Sequence, residues 1–120
     1  MEKIGNSRYT QVSVVGEADE KSKANHNYLI TNAKELEGND VGFSTAIAFQ
    51  KGPIKESGVN GCHNEDLLTI VLHRLNGFQS SEFRCRENAI AITKIEEALL
   101  WLGKRTSDRE ARNVEGTHAV

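Results

Sequence analysis

The stretch EDLLTIVLHRLNGF, residues 65–78, decides the fold. Its large apolar side chains recur at the spacing of one face of an α-helix. They are Leu67, Leu68, Val71, Leu72, Leu75 and Phe78. Glu65 and Asp66 precede them, in the first turn, where the positive end of the helix dipole favours acidic groups. Asn76 and Gly77 mark the expected C-terminal end. The stretch therefore predicts an amphipathic helix that must bury one face.

A second helical pattern follows after a short polar connection. Ser80 and Ser81 offer an N-cap for it. Its stripe consists of Ala89, Ile92, Ile95, Leu99 and Leu102, interrupted by Glu96. Gly103 either ends this helix or lies inside it. In the second case Trp101, Arg105, Arg109 and Arg112 share one face. Two helices joined by a short connection predict a helical hairpin.

The first half of the chain has the composition of strands rather than helices. Residues 9–15, 27–32 and 43–50 are rich in β-branched and aromatic side chains, and the last of these segments alternates. We therefore predict an α+β fold, a small antiparallel sheet of about three strands followed by a C-terminal α-helical hairpin. The expected boundaries are 1–51 for the sheet, 52–61 for a linker with the only proline, and 62–120 for the hairpin with its tail. Together they are expected to form one functional domain.

Composition excludes several classes of function. The chain has 120 residues and a net charge of −2, which argues against a general DNA-binding protein. It contains no apolar run long enough to span a membrane and no signal-like start. Cys62 and Cys85 fall at the starts of two successive predicted helices, too far apart for a disulfide. We expect free thiols in a reducing cytoplasm.

Arginine is concentrated in the second half of the chain. Only Arg8 lies in the first half, and the others are Arg74, Arg84, Arg86, Arg105, Arg109 and Arg112. Arginine clusters thus bracket the second helix. Their forked side chains suit phosphate, and the N-terminal N–H groups of a helix also favour anions. The alternative is a solvated helix face whose charges contribute little.

Aromatic and amide side chains lie next to the first of these clusters. Phe78 and Phe83 flank the predicted turn, where they either close the hairpin by packing or offer a platform for a nucleobase. Asn88 lies one turn after Arg84 and carries an amide that can pair with an adenine edge. Its alternative is a solvent-facing or inter-helix contact. Together these residues indicate a nucleotide pocket.

The sequence shows no constellation for catalysis or metal binding. His26, His63, His73 and His118 are scattered, and no spacing completes a tetrahedral site. Neither cysteine has a histidine base placed by the sequence. The run from Gly103 to Thr106 only superficially resembles the end of a P-loop. We therefore expect that the protein is not an enzyme and that it binds neither a metal nor a cofactor.

Three linked motifs resemble one family. They are FQKGPIKE with GVNG at 49–61, RCRENA with TKIEEAL at 84–99, and KRT with DR and VEGTH between 104 and 118. Together they resemble the phage Thoeris anti-defence proteins of the first-described type. The helical hairpin of that family is shared with a phage anti-CBASS sponge. The resemblance covers residues 43–120 most closely.

The resemblance implies a phage protein that sequesters immune signalling nucleotides in the host cytoplasm. The implied partner is glycocyclic ADP-ribose, bound without cleavage, and some members also bind cyclic di- or trinucleotides at separate sites. Members assemble as dimers or hexamers, so a homo-oligomer is expected, with neither membrane nor DNA as partner. The implied ligand-binding residues are Phe78, Asn88, Arg84, Arg105 and Arg109.

Two other functions compete with this non-catalytic sponge. A phage regulator that reads nucleic acid with the second helix would bind duplex DNA with a steep salt dependence. An enzyme that degrades the same signal would turn it over at substoichiometric protein. A purely structural phage assembly protein is a further alternative.

Overall fold

The computed structural model describes residues 1–120, apart from the side chain of Asn6. The strands are β1 (Glu2–Asn6), β2 (Thr10–Val15), β3 (Asn27–Asn32) and β4 (Ser44–Ala48). The helices are α1 (Ile54–Ser57), α2 (Asn64–Gln79) and α3 (Arg86–Ala111). The predicted α+β class is confirmed, because an antiparallel sheet precedes a helical hairpin.

The sheet is a simple meander in which each strand pairs antiparallel with the next, in the order β1-β2-β3-β4. Val14 of β2 pairs with Tyr28 of β3, which pairs with Ile47 of β4. Val14 is buried, and the Tyr28 ring meets the Phe49 ring edge-on at a centroid distance of 5.7 Å. These side chains lie on one face, as the strand alternation predicts.

The sheet has four strands where the sequence predicted about three. The additional strand is β1, whose residues Glu2 to Asn6 include two charged side chains and a glycine and so lack a strand pattern. Its pairing with β2 shifts register between Lys3 and Gly5. The strand exists because β2 offers it a hydrogen-bonding edge, and such tertiary pairing overrides weak local propensity.

The segment after β4 closes on itself through Asn60. The Asn60 amide accepts from the Lys51 N–H and donates to the Lys51 carbonyl, both at 2.8 Å. Gly61 follows, and a Cβ at this position would lie 2.4 Å from the carbonyl carbon of Phe49. Cys62 then forms a parallel bridge with Phe49. The GVNG motif therefore has a structural reason for its asparagine and its second glycine.

The chain divides into two compact units. The sheet unit comprises Met1–Lys51 with Asn60–Cys62, and the helical unit comprises Gly52–Val59 with His63–Val120. The segment predicted as a linker carries the single turn of α1 and groups mostly with the helical unit. The boundaries predicted from the sequence, 1–51, 52–61 and 62–120, stay predictions.

The hairpin differs from its predicted outline at two points. Helix α2 continues two residues past Gly77 to Gln79. Helix α3 begins at Arg86, with Cys85 rather than a serine in the N-cap position, because the Ser81 hydroxyl is used inside the turn. Helix α3 also passes through Gly103, which resolves the open alternative in favour of one long helix. α2 packs against α3.

No helix in the described part of the chain combines the length and apolarity needed to cross a membrane.

Candidate functional site at the closed end of the hairpin

The turn between α2 and α3 is fixed by one glutamine. The Gln79 amide accepts from the Cys85 N–H at 3.0 Å and donates to the Cys85 carbonyl at 3.1 Å. Ser81 adds a second set of bonds, donating to the Phe78 carbonyl at 2.7 Å and accepting from the Phe83 N–H at 3.1 Å. The last residue of α2 is thus bonded to the N-cap of α3. We call this region, together with the last turns of α2, the closed end (residues 74–88).

Phe78 and Asn88 lie on the two sides of this connection. Phe78 precedes Gln79 in α2 and is half-buried. Asn88 is the third residue of α3 and is also half-buried. Among the described side chains, Asn88 has no hydrogen-bond partner, so its amide is available to a ligand. The first-turn N–H groups of α3 lie beside it, and such groups favour anions.

Arg84 lies in the connection itself and is exposed. Within the described part of the chain its guanidinium makes no ion pair or hydrogen bond. Its main chain is held by the Ser81 carbonyl at 3.4 Å. The structure therefore brings Arg84, Phe78 and Asn88 to the same end of the hairpin, with Arg84 unpaired.

Arg105 and Arg109 lie at the opposite end of α3. Arg105 lies seventeen positions after Asn88, which corresponds to about 26 Å along a helix. One hairpin therefore cannot bring all five predicted residues into a single pocket. Arg105 is exposed, and its side chain has no ionic partner among the described residues.

Arg109 is engaged by the C-terminal clasp, which is residues 113–120. The residue is only 6% exposed. It donates to Glu115 at 3.0 Å and to the carbonyls of Ala119, Val114 and Thr117 at 2.5, 2.9 and 3.2 Å. A phosphate could reach this guanidinium only by displacing those acceptors.

The clasp is also held by other parts of the helical unit. Arg112 donates to the Val120 carbonyl at 2.8 Å. The Lys55 N–H of α1 donates to the Gly116 carbonyl at 3.1 Å, and His118 lies 3.1 Å from the Glu56 carboxylate. The clasp is therefore an ordered part of the helical unit, and its hydrogen bonds join the end of α3 to α1.

Two residues of the closed end were missed by the sequence reasoning. Arg74 lies one turn before Phe78, and its guanidinium carbon is 5.1 Å from the centroid of the Phe78 ring. The i,i+4 spacing of these two residues was a readable signal. Gln79 was the second, and nothing in the sequence singles it out, because its partner is a backbone group six residues further on.

Fold and closed end together define a class: a small α+β protein built on a helical hairpin, with an aromatic, amide and arginine cluster at the hairpin turn. The chain belongs to the Acb2/Tad1 hairpin-domain family, whose family model matches residues 44–107. That range contains Phe78, Arg84, Asn88 and Arg105, and it ends two residues before Arg109.

A curated relative supports the same assignment. The chain is 57% identical over 88 residues to a protein named Thoeris anti-defense 1 from Bacillus phage SBSphiJ7. The matched part covers 72% of this chain and 62% of the relative. The similarity therefore spans about three fifths of the relative's length.

Proposed function

We propose that this protein is a non-catalytic sponge that binds and sequesters glycocyclic ADP-ribose, and that it thereby blocks bacterial anti-phage defence in the host cytoplasm. The anti-defence role is supported by the family and by the name of the Bacillus phage relative. One observation supports the sponge mechanism most strongly. The closed end combines an aromatic ring, an unpartnered amide and an unpaired arginine in the described structure.

Each of these groups suits one part of a cyclic ADP-ribose. A base stacks on an aromatic ring with about 1–3 kcal/mol of binding energy, which is the role of Phe78. The Asn88 amide can both donate to and accept from a base edge. Arg84 can bind a phosphate with its fork, next to the first-turn N–H groups of α3.

Ligand recognition at the closed end depends on local contacts rather than on the long-range electrostatic attraction of a basic surface. Glu82 and Glu87 offset much of the charge of Arg84 and Arg86 in the same short stretch. A long duplex would need a continuous basic surface, and the whole chain has a net charge of −2. This balance favours a small anionic ligand over the alternative of a nucleic-acid regulator.

A separate site for cyclic di- or trinucleotides is proposed at the far end of α3. Arg105 is exposed there, and Trp101 lies one turn before it with 70% of its surface exposed. Arg105 is the better candidate for direct phosphate contact. Arg109 could contact a phosphate only after release of the C-terminal clasp, so we assign it a role in holding that segment.

Oligomerisation is proposed as part of the same function. Val14 is the only buried apolar residue among those whose burial the structure describes. Large apolar side chains on α2 and α3 remain exposed, including Ile70, Val71, Leu100 and Trp101. Exposed apolar surface of this kind marks protein interfaces, and a second copy of the chain, in a dimer or hexamer, is the proposed occupant.

A depletion experiment separates the sponge from an enzyme. Excess glycocyclic ADP-ribose is incubated with substoichiometric protein, and free ligand is followed by mass spectrometry. A sponge removes a fixed molar equivalent, and the ligand returns intact when the protein is denatured. An enzyme removes the ligand continuously and leaves a product of different mass, and that result would exclude the sponge.

A further inference from the structure

Arg74 occupies a position at the closed end that the predicted ligand set does not use. Its guanidinium carbon lies over the Phe78 ring, 5.1 Å from the centroid. A cation within about 6 Å of an aromatic face is attracted by the ring. Because the two residues are four apart on α2, the helix itself holds both side chains on one face.

The charge of Arg74 is not neutralised. Lys94, Lys104 and Arg109 each pair with a carboxylate within 4.0 Å. Among the described residues, Arg74 has no carboxylate partner and no side-chain hydrogen bond. The one interaction described for its guanidinium is the contact with the aromatic ring, which leaves all five of its N–H donors without a described protein acceptor.

A guanidinium that stacks on a ring still has its N–H edge free for hydrogen bonds. The group is planar, and its N–H bonds lie in the plane, so a guanidinium that meets a ring with its face still directs its donors sideways. That edge has the forked geometry that binds phosphate through two parallel hydrogen bonds. Lysine could not combine both contacts, because an ammonium has no plane.

We propose that Arg74 is a phosphate-contacting residue of the closed-end site and that it restricts this site to nucleotides with a phosphate next to a stacked base. This inference rests on the proposed nucleotide-binding function. Arg74 lies over one face of Phe78, so a base stacks on the other face or on the outer face of the guanidinium. Both positions keep the guanidinium edge within reach of the ligand's phosphates.

The competing role is packing alone, in which the Arg74 stem supports Phe78 and stabilises α2. Packing predicts that loss of the guanidinium changes folding but not ligand recognition. Direct contact predicts that it changes the affinity for a phosphate-bearing ligand, and also the salt dependence of that affinity. Those two readouts separate the roles.

The test measures binding of glycocyclic ADP-ribose to the wild-type protein, R74A, R74K and R8A. R8A is the matched control, because it removes one exposed arginine from the sheet unit. We expect R74A to weaken binding about tenfold to a hundredfold, the loss typical of a charged hydrogen bond. The slope of log Kd against log salt should become shallower, since one ionic contact is removed. R74K, which keeps the charge without the plane, should fall between wild type and R74A.

Two different failures remain distinguishable. If the wild-type protein does not bind glycocyclic ADP-ribose, the proposed function fails and the role of Arg74 fails with it. If wild type binds, but R74A binds equally tightly with the same salt slope, only the Arg74 proposal is overturned. A loss in R8A as large as that in R74A would also overturn it, because the effect would then be one of net charge.

Discussion

Phe78 has two possible roles according to the sequence, core packing and base stacking. As a core residue it would close the hairpin, and as a platform it would stack a base. In the structure the ring is half-buried, with the Arg74 guanidinium over it. Half-burial is shared by Leu72 and Leu75 of α2. The features that favour the platform are therefore the guanidinium over the ring and the unpaired polar groups near it.

Replacement of Phe78 by alanine should therefore weaken ligand binding more than folding. Loss of one base-stacking contact corresponds to about 1–3 kcal/mol, or roughly fivefold to 150-fold in Kd for glycocyclic ADP-ribose. Calorimetric titration measures the affinity, and circular dichroism measures the melting temperature. Phe83→Ala is the matched control, because that ring lies in the same turn and is 66% exposed. A larger loss in the Phe83 variant would show that the platform is the other ring.

Gly61 has a role that is purely steric. A Cβ at this position would lie 2.4 Å from the Phe49 carbonyl carbon and 2.7 Å from the Gln50 nitrogen. Backbone atoms cannot move aside as a flexible side chain can. Gly61→Ala should therefore lower the free energy of unfolding by about 1–3 kcal/mol, the usual cost of overpacking.

The control for Gly61 lies in α3. Gly103 is inside the helix, and a Cβ there would meet open space. Gly103→Ala should raise the free energy of unfolding by about 0.5–1 kcal/mol, because alanine loses less backbone entropy in a helix. Urea denaturation measures both variants. Equal stability of Gly61→Ala and wild type would contradict the proposed close approach of the two chain segments.

Helix α3 shows how far an element can be predicted from its own sequence. Its apolar stripe predicted the helix, and the strand compositions predicted β2 and β3 to within a residue. Three features depended on distant partners and so could not be predicted. β1 needs the edge of β2, the start of α3 needs Gln79 to engage Cys85, and the burial of Arg109 needs the chain to return over α3.

The positions of the predicted site residues in the fold were predictable to a similar degree, and their role in binding stays a prediction. Phe78, Arg84 and Asn88 were selected by residue type and family resemblance, and the structure places them at one end of the hairpin. Arg109 looked in the sequence like one more exposed arginine on a helix face. Its burial follows from residues 114–119, whose carbonyls face the guanidinium, and no local pattern reports that arrangement.

Removal of the Arg109 side chain should release the C-terminal clasp. The Val114 and Thr117 N–H groups are hydrogen-bonded in the clasp, so their exchange with deuterium should be slow in the wild-type protein. In Arg109→Ala it should accelerate, with a loss of about 1–3 kcal/mol in the free energy of unfolding. Arg105→Ala removes an unpaired guanidinium and should leave exchange in the clasp unchanged. Unaltered exchange in Arg109→Ala would contradict the clasp.

Sparse apolar burial is the dominant property of the molecule as a whole. Val14 is the one apolar residue that is buried among those with described burial, while Leu100 and Trp101 expose 73% and 70% of their surface. Small domains bury a limited fraction of their surface, and association with further copies adds to it. The exposed apolar residues of α2 and α3 therefore belong to the proposed interface between copies.

Charge placed on this surface should dissociate the assembly. Leu100→Glu combined with Trp101→Glu would bury carboxylates without partners in an apolar interface, which costs several kcal/mol. Light scattering after size exclusion should report an oligomer for the wild-type protein and a monomer for the double variant. The matched control is Lys94→Glu on the same helix, where the native residue is already charged. A wild-type protein that is monomeric at micromolar concentration would contradict the interface.

Titration calorimetry of the wild-type protein with glycocyclic ADP-ribose tests the sponge most directly. The predicted result is saturable binding with a Kd of about 1 μM or tighter, equivalent to about −8 kcal/mol, with one fixed stoichiometry per chain or per pair of chains. Ligand recovered after the titration should have its original mass. The absence of binding heat at several temperatures, or recovery of a cleaved ligand, would contradict sequestration as the function of this protein.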